Sequence, residues 1–238
     1  MFRKKRKGNG IAPLTSNFKQ IFKYQPNNLL QKIRILSDEE DFKTIKKLLK
    51  ILTEYISLKE ASENLLDSKY DFKNRNSNFM NIFHQICRTF GIEIAYSDFN
   101  KEFNINEQNL ILDTWNHSRI ITNLQNINEE NILKPVSNIN NYYIFPLDIV
   151  LCSGGNHSQL SGMIQKKGIS HISRVADLSC LYPYIRFDGE KFIDIHNPNN
   201  FWDVESELEL FSGVFFEIGR ILKKHPSYFD LNLLEKLG

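Results

Sequence analysis

Residues 149–179, IVLCSGGNHSQLSGMIQKKGISHISRVADLS, decide the fold. The segment begins with an apolar run, bends at two adjacent glycines, continues as a short helical stretch ending at Gly168, and closes on a run that contains Ile172 and Val175. β-Branched runs favour strands, and glycine permits the sharp bend between a strand and a helix. The order of strand, tight turn, helix and strand predicts an α/β (α+β) fold.

The glycine turn is the predicted binding site. The first backbone N–H groups of a helix have no partner inside it, and the helix dipole adds partial positive charge, so such a turn can bind phosphate or carboxylate. We predict a ligand-binding turn at Ser153, Gly154, Gly155, Asn156 and Ser158. The alternative for Asn156 or Ser158 is a role as helix N-cap alone.

His157 is the candidate catalytic residue within this turn. Its unperturbed pKa near neutrality suits a general acid or base, with Asp177 or Asp188 to orient the ring. The alternative is that His157 hydrogen-bonds the turn and holds its shape. Cys152 precedes the turn on an apolar strand and is expected to be a small core residue.

Two known phosphate motifs do not fit the turn. A P-loop needs a lysine and a hydroxyl residue after its last glycine, and SGGNHSQLSG has no lysine there. The string GNH is also found in calcineurin-like phosphoesterases, but no DxH or GDxxD element lies upstream to complete their two-metal site. No metal site is predicted.

The segment resembles the ParB/sulfiredoxin-like superfamily, which is marked by a strand, a glycine-containing turn with a Gly-x-His-Arg string, a helix and another strand. Gly155-Asn156-His157 falls on the Gly-x-His, and the resemblance covers about residues 142–195. It implies a ParB/sulfiredoxin-like unit whose turn holds nucleotide phosphates, ATP in sulfiredoxin and CTP in ParB. A nucleotide with magnesium is therefore the implied ligand, and related members act as kinases, nucleases or phage-defence components.

The chain departs from the superfamily pattern at two positions. Asn156 stands where the resemblance puts the catalytic cysteine of sulfiredoxin, so that activity is not expected. Ser158 replaces the arginine after the histidine, which removes a bidentate phosphate donor. Lys166, Lys167 or Arg174 would have to supply the missing positive charge.

The composition indicates a folded, cytoplasmic protein. The 238 residues carry a formal net charge of +2, which predicts no strong non-specific binding to nucleic acid and no membrane attachment. The three cysteines have no CxxC spacing, which fits a reducing compartment. The 26 asparagines, with many isoleucines and lysines, indicate an AT-rich bacterial coding sequence.

Three regions are predicted along the chain. Residues 1–25 are expected to be a basic, flexible tail, residues 26–137 a helical region, and residues 138–238 the α/β region with C-terminal helices. In the helical region, Ser37 and Glu40 form a capping-box pattern. Helices are predicted from about Ser77 to Phe90, where Gly91 would end the helix, and over residues 105–127.

Two elements are predicted near the C-terminus. Asp188-Gly189 lies between two alternating runs and predicts a hairpin with a type I′ turn. Residues 203–225, DVESELELFSGVFFEIGRILKKH, predict a long amphipathic helix.

Two functions follow from these observations. One is binding of a phosphate-bearing ligand at the turn, with His157 assisting phosphoryl or phosphodiester chemistry. The other is a non-enzymatic scaffold that binds a protein partner, within a defence or mobile-element system. A concave pocket at His157 with lysine or arginine side chains around it would favour the first, and a turn covered by the helix in FWDVESELELF would favour the second.

Overall fold

The computed structural model describes residues 25–67 and 79–237 of the chain. The predicted basic tail therefore lies outside the described residues, except for Gln25, and so does the start of the helix predicted from Ser77.

The described residues form seven α-helices and eight β-strands. The elements are α1 (Pro26–Asp38), α2 (Phe42–Leu66), α3 (Asn81–Phe90), β1 (Ala95–Asn104), β2 (Leu110–Ile111), α4 (His117–Asn126), β3 (Asn140–Phe145), β4 (Ile149–Gly154), α5 (Asn156–Gln165), β5 (Ile169–Asp177), β6 (Ile185–Phe187), β7 (Lys191–Asp194), β8 (Phe201–Asp203), α6 (Glu207–Leu222) and α7 (Leu231–Leu237). The predicted α/β class is confirmed.

The central sheet is mixed and has the strand order β1-β5-β3-β4-β2. Strand β3 pairs antiparallel with β4 and parallel with β5, while the outer strands β1 and β2 pair with β5 and β4 respectively. Both outer strands come from the region predicted to be helical. That region is mainly helical, but it also supplies both edges of the sheet, because Leu110, Ile111 and Phe103 are apolar side chains that the sheet buries.

The single helix predicted over residues 105–127 is wrong. Leu110 and Ile111 are a short strand, and α4 begins only after Asn116, whose side-chain Oδ1 accepts a hydrogen bond from the Arg119 N–H at 2.9 Å. An asparagine at this position favours the start of a helix over its interior. The segment is therefore a strand, an extended connection and a helix.

The capping box predicted at Ser37 and Glu40 is also wrong. Ser37 is a buried residue inside α1, and the N-cap of α2 is Asp41, whose carboxylate accepts from the Thr44 N–H at 3.1 Å. The sequence holds both an Asp-x-x-Thr and a Ser-x-x-Glu pattern, and burial of Ser37 in α1 decides between them. Gly91, by contrast, ends α3 in the left-handed conformation, as predicted.

Helix α6 forms the centre of the second half of the core. It was predicted to be amphipathic, but 13 of its 16 residues are buried. The reason is tertiary: α1 packs against one side of α6, and β6 and β7 of a second sheet, ordered β6-β7-β8, pack against another. Glu217 is buried because its carboxylate accepts from the Phe187 N–H at 2.9 Å and pairs with Arg220 at 3.0 Å.

The predicted hairpin is present between β6 and β7, but its turn is not type I′. Gly189 has a positive φ of +110° and Asp188 does not, whereas a type I′ turn needs positive φ at both central residues. The Asp188 carboxylate instead accepts from the N–H groups of Glu190 and Lys191, both at 2.9 Å.

None of the helices in the described part of the chain combines the length and the apolar composition that a membrane-spanning helix needs.

Candidate functional site

The glycine turn joins the end of β4 to the start of α5. Gly155 is left-handed, with φ +76°, and is itself the N-cap of α5. A Cβ on Gly155 would lie 2.8 Å from Ile139 Cγ1, and one on Gly154 would lie 2.7 Å from the Asn138 carbonyl oxygen. Both glycines are therefore required by the close approach of residues 138–139, and neither Asn156 nor Ser158 acts as the N-cap.

The His157 ring holds the connection before α4. Its Nε2 atom accepts hydrogen bonds from the backbone N–H groups of Trp115 and Asn116, at 3.4 and 3.2 Å. An Nε2 that accepts must be unprotonated, so the neutral ring carries its proton on Nδ1. Burial, together with the nearby Arg119 guanidinium, lowers the pKa of His157 below 6.5. Of the two roles predicted for His157, this geometry favours the structural one.

Asn156 and Ser158 hold the same part of the chain from either side of His157. The Asn156 side-chain Oδ1 accepts from the Asp113 N–H at 2.7 Å, and the Ser158 hydroxyl donates to Asn123 Oδ1 at 2.8 Å. Three consecutive residues at the start of α5 thus fix the chain from Asp113 into α4. The polar side chains that the sequence predicts at a ligand therefore also orient α4.

The role of His157 predicts how stability depends on pH. A histidine whose pKa is lower in the folded state contributes stability that is complete above its unfolded pKa of 6.5 and is lost as the pH falls below it. His157→Gln places an amide oxygen near Nε2 but cannot be protonated. Between about pH 7.5 and about pH 5, we expect the unfolding free energy of the wild type to fall more steeply than that of the variant.

Urea denaturation at a series of pH values measures this difference. Burial also lowers the pKa of His84, but that contribution is common to both proteins and cancels. His157→Ala, which lacks the acceptor, should be less stable at every pH. Equal slopes for the wild type and His157→Gln would contradict the assigned tautomer.

A buried network of polar side chains connects the turn to the central sheet. The amides of Gln159 and Asn141 face each other and exchange two hydrogen bonds, both at 3.0 Å. Gln159 also donates to the Gly154 carbonyl at 3.3 Å and to Cys152 Sγ at 2.7 Å, and it accepts from the Ser170 hydroxyl at 2.7 Å. Burial raises the pKa of Cys152 to about 12, which agrees with a core residue. This network ties the turn to β3 and β5.

A polar cleft of about 480 Å³, the α4–α5 cleft, lies beside the turn. It is lined by residues 153–158, by Asn138, and by polar residues of α4 that include Arg119. The Arg119 guanidinium lies over the Trp115 ring, 4.9 Å from its centroid. Among the described residues, no carboxylate lines this cleft and none pairs with Arg119. The cleft therefore presents one cation together with amides, hydroxyls and a helix N-terminus.

Arg119 was not predicted to belong to the site. It lies about 38 residues before the turn, on a segment whose sequence gives no sign of its neighbours. The available signal was indirect: Asn116 predicts a helix start, and an arginine three residues later lies in the first turn of that helix. Nothing in the sequence places that helix against α5.

A second cavity, the sheet-face cavity, adjoins the cleft. It has a volume of about 550 Å³ and lies over one face of the central sheet, between α2, α3 and the start of α6. Its walls are mainly apolar and aromatic, and they include Tyr96, Tyr142 and Ala176. Trp115, Ser153 and Asn156 line both cavities and form the wall between them.

The predicted supporting residues lie away from the turn. Arg174 lines the sheet-face cavity and approaches Asp98 at 3.6 Å. Asp177, at the other end of β5, accepts from the Ser179 N–H at 2.8 Å, and Asp188 belongs to the β6–β7 hairpin. Lys166 and the following Lys167 come after the last residue of α5, about 15 Å along the helix from the turn. Only Arg174, through the adjoining cavity, comes near the site.

The described residues contain no cluster of three or more histidine, cysteine, aspartate or glutamate side chains able to hold a metal ion.

The model of a protein family, described as a family of unknown function (DUF6710), matches residues 3–229. No curated protein and no solved structure matches the chain significantly.

Proposed function

The chain belongs to the DUF6710 family, whose description assigns no function, and from the site alone we propose that it binds the phosphate group of a small ligand in the α4–α5 cleft. The observation that carries this proposal is the Arg119 guanidinium, which has no carboxylate partner among the described residues and lines the same cleft as the glycine turn. Arginine donates bidentate hydrogen bonds to phosphate. Arg119 thus replaces the arginine that the resemblance to the ParB/sulfiredoxin-like superfamily would put at Ser158.

The electrostatics of the cleft support an anionic ligand. The start of α5 adds the partial positive charge of the helix dipole, and its first N–H groups are beyond the reach of intrahelical acceptors. Ser118 and Thr122 add hydroxyl donors from α4. A nucleotide, with magnesium bound to its own phosphates, is the ligand class that the superfamily resemblance implies.

The proposal is binding without a chemical step at His157. General base catalysis needs a free lone pair, and the Nε2 lone pair of His157 accepts two backbone hydrogen bonds. A turn covered by the helix in residues 201–211 would favour the scaffold hypothesis. None of these residues lines the α4–α5 cleft, although Leu208 lines the sheet-face cavity.

Calorimetric titration of Arg119→Gln against the wild type tests the proposal. The ligands are ATP, CTP, GTP and inorganic phosphate, each with and without magnesium. A hydrogen bond to a charged group contributes about 1.5–3 kcal/mol, so we expect Arg119→Gln to weaken binding by about 10- to 150-fold. The matched control is Lys167→Gln, which removes a positive charge at the far end of α5 and should leave binding unchanged.

Either of two results would contradict the proposal. If no ligand binds a protein that melts cooperatively, or if Lys167→Gln weakens binding as much as Arg119→Gln, then the cleft is not a phosphate site. Binding to a protein partner would then be the better account of the chain.

A further inference from the structure

We propose that the sheet-face cavity is the second half of the same binding site, and that the ligand is a phosphate ester whose organic part is a flat aromatic ring. This inference rests on the proposed phosphate binding in the α4–α5 cleft. It adds an argument from the structure for the aromatic part of the ligand and the place where that part binds.

The first support is the shared wall. Trp115, Ser153 and Asn156 line both cavities, so a ligand bound at the turn is separated from the sheet-face cavity by the thickness of these side chains alone. The two volumes, about 480 and about 550 Å³, each lie within the range typical of small-molecule pockets. A ligand that passes over Ser153 would occupy both.

The second support is the contrast in chemistry across that wall. Hydroxyls, amides and the Arg119 guanidinium dominate the α4–α5 cleft. The sheet-face cavity is lined mainly by apolar and aromatic side chains, such as Ile144, Leu151 and Phe79. Its lining also includes the charged side chains of Glu60, Asp113 and Arg174. An anionic group gains most from the first environment and an apolar ring from the second. The division fits a ligand with two unlike ends.

The third support is the shape of the cavity floor. Ala176 lies at the centre of three paired strands, opposite Tyr96 on β1 and Ile144 on β3. Tyr142 lies beside it, opposite Arg174, and the Tyr96 and Tyr142 rings meet edge to face, with centroids 6.2 Å apart. Ala176 and Ile144 are buried, so the Tyr96 and Tyr142 rings provide the accessible surface of this floor. Aromatic walls of this kind suit a flat ring, which stacks on them without regard to its detailed pattern of substituents.

Affinities for three probes test the inference: adenosine 5′-monophosphate, ribose 5-phosphate and inorganic phosphate. Base–aromatic stacking contributes enough for about a fivefold change in affinity at its lower end. We therefore expect the wild type to bind the nucleotide at least about fivefold more tightly than ribose 5-phosphate. Tyr142→Leu, which keeps apolar volume but removes the ring, should abolish most of this preference and leave the affinity for ribose 5-phosphate unchanged.

Two further variants separate a loss of ligand binding from a loss of folding. Tyr96→Leu removes the second ring of the cavity floor and should weaken the nucleotide alone, while Phe201→Leu removes an exposed ring in the second sheet and should change neither affinity. Each variant is compared only where its melting temperature confirms a folded protein.

The possible failures are distinguishable. If ribose 5-phosphate binds as tightly as the nucleotide, or if Tyr142→Leu preserves the nucleotide preference, this inference is overturned, and the phosphate site stands as long as Arg119→Gln weakens both ligands. If Arg119→Gln weakens neither, then phosphate binding itself fails and this inference fails with it.

Discussion

Asp148→Ala is expected to lower the free energy of unfolding by about 4 kcal/mol, because it leaves the buried hydroxyls of Tyr143 and Tyr228 without an acceptor. It also removes one of the two acceptors of the Asn109 amide, which keeps its bond to the backbone carbonyl of residue 148. The Asp148 carboxylate is buried in the turn between β3 and β4. It accepts hydrogen bonds from the hydroxyls of Tyr143, at 2.8 Å, and Tyr228, and from the amide of Asn109 at 3.0 Å. These donors come from three separate parts of the chain, so the loss acts on the tertiary structure as a whole.

The backbone at Asp148 adds to the expected loss. Its φ is +54°, in the left-handed region, which aspartate and asparagine adopt more readily than alanine does. Burial raises the pKa of Asp148, and the hydrogen bonds from Tyr228 and Tyr143, together with the nearby Lys46, oppose that rise. The charged form of the Asp148 carboxylate is therefore stabilised by these hydrogen bonds and by Lys46, which offset part of the cost of its burial.

Urea denaturation of two variants separates these causes. Asp148→Asn keeps the shape, the favourable backbone preference and one acceptor oxygen, so it should lose about half as much stability as Asp148→Ala. Asp98→Ala is the matched control, since the Asp98 side chain is 95% exposed, and it should change stability by less than about 0.5 kcal/mol. A loss below about 1 kcal/mol in Asp148→Ala would show that the two tyrosine hydroxyls find other acceptors.

Gln159→Leu is expected to lower the free energy of unfolding by about 3 kcal/mol, because one buried oxygen loses its hydrogen-bond donor and one buried hydroxyl loses its acceptor. The oxygen is that of the Asn141 side chain, which accepts from the Gln159 amide. The hydroxyl is that of Ser170, which donates to the Gln159 side-chain oxygen. All three residues are completely buried. The Gly154 carbonyl also loses a donor, so the same variant should weaken ligand binding at the turn.

A double-mutant cycle isolates the paired amides. Asn141→Ala and Gln159→Ala act on one network, so the double variant should lose less stability than the sum of the single losses, by at least about 1 kcal/mol. Gln85→Leu, at an exposed position on α3, is the control and should be nearly neutral. Additive losses would mean that the two amides contribute independently.

The fold class could be predicted from the sequence because local patterns carry it. The β-branched run before Gly154, the glycine pair and the second apolar run at 169–177 predict strand, turn, helix and strand, and these elements are present. The edge strands could not be predicted in the same way. Leu110 and Ile111 are two residues that become a strand only because Val150 and Leu151 pair with them.

The candidate site also has features that the local sequence predicts and features that depend on distant residues. The glycine turn could be predicted, since the need for left-handed backbone is local to Gly155. The partners of His157 could not, because the Trp115 and Asn116 N–H groups lie about 40 residues away in the chain. Whether a histidine is a base or a structural acceptor depends on what faces its lone pair, and that is a tertiary property.

The sequence by itself determined the α/β class, the strand–turn–helix unit and the position of the glycine turn, because each follows from interactions between residues close in the chain. The tertiary structure alone decided that Asn156, His157 and Ser158 hold α4, that Arg119 supplies the cation of the cleft, and that α6 is buried on most of its surface. These features depend on contacts between distant segments, and hydrophobic periodicity and backbone propensity do not encode which segments meet.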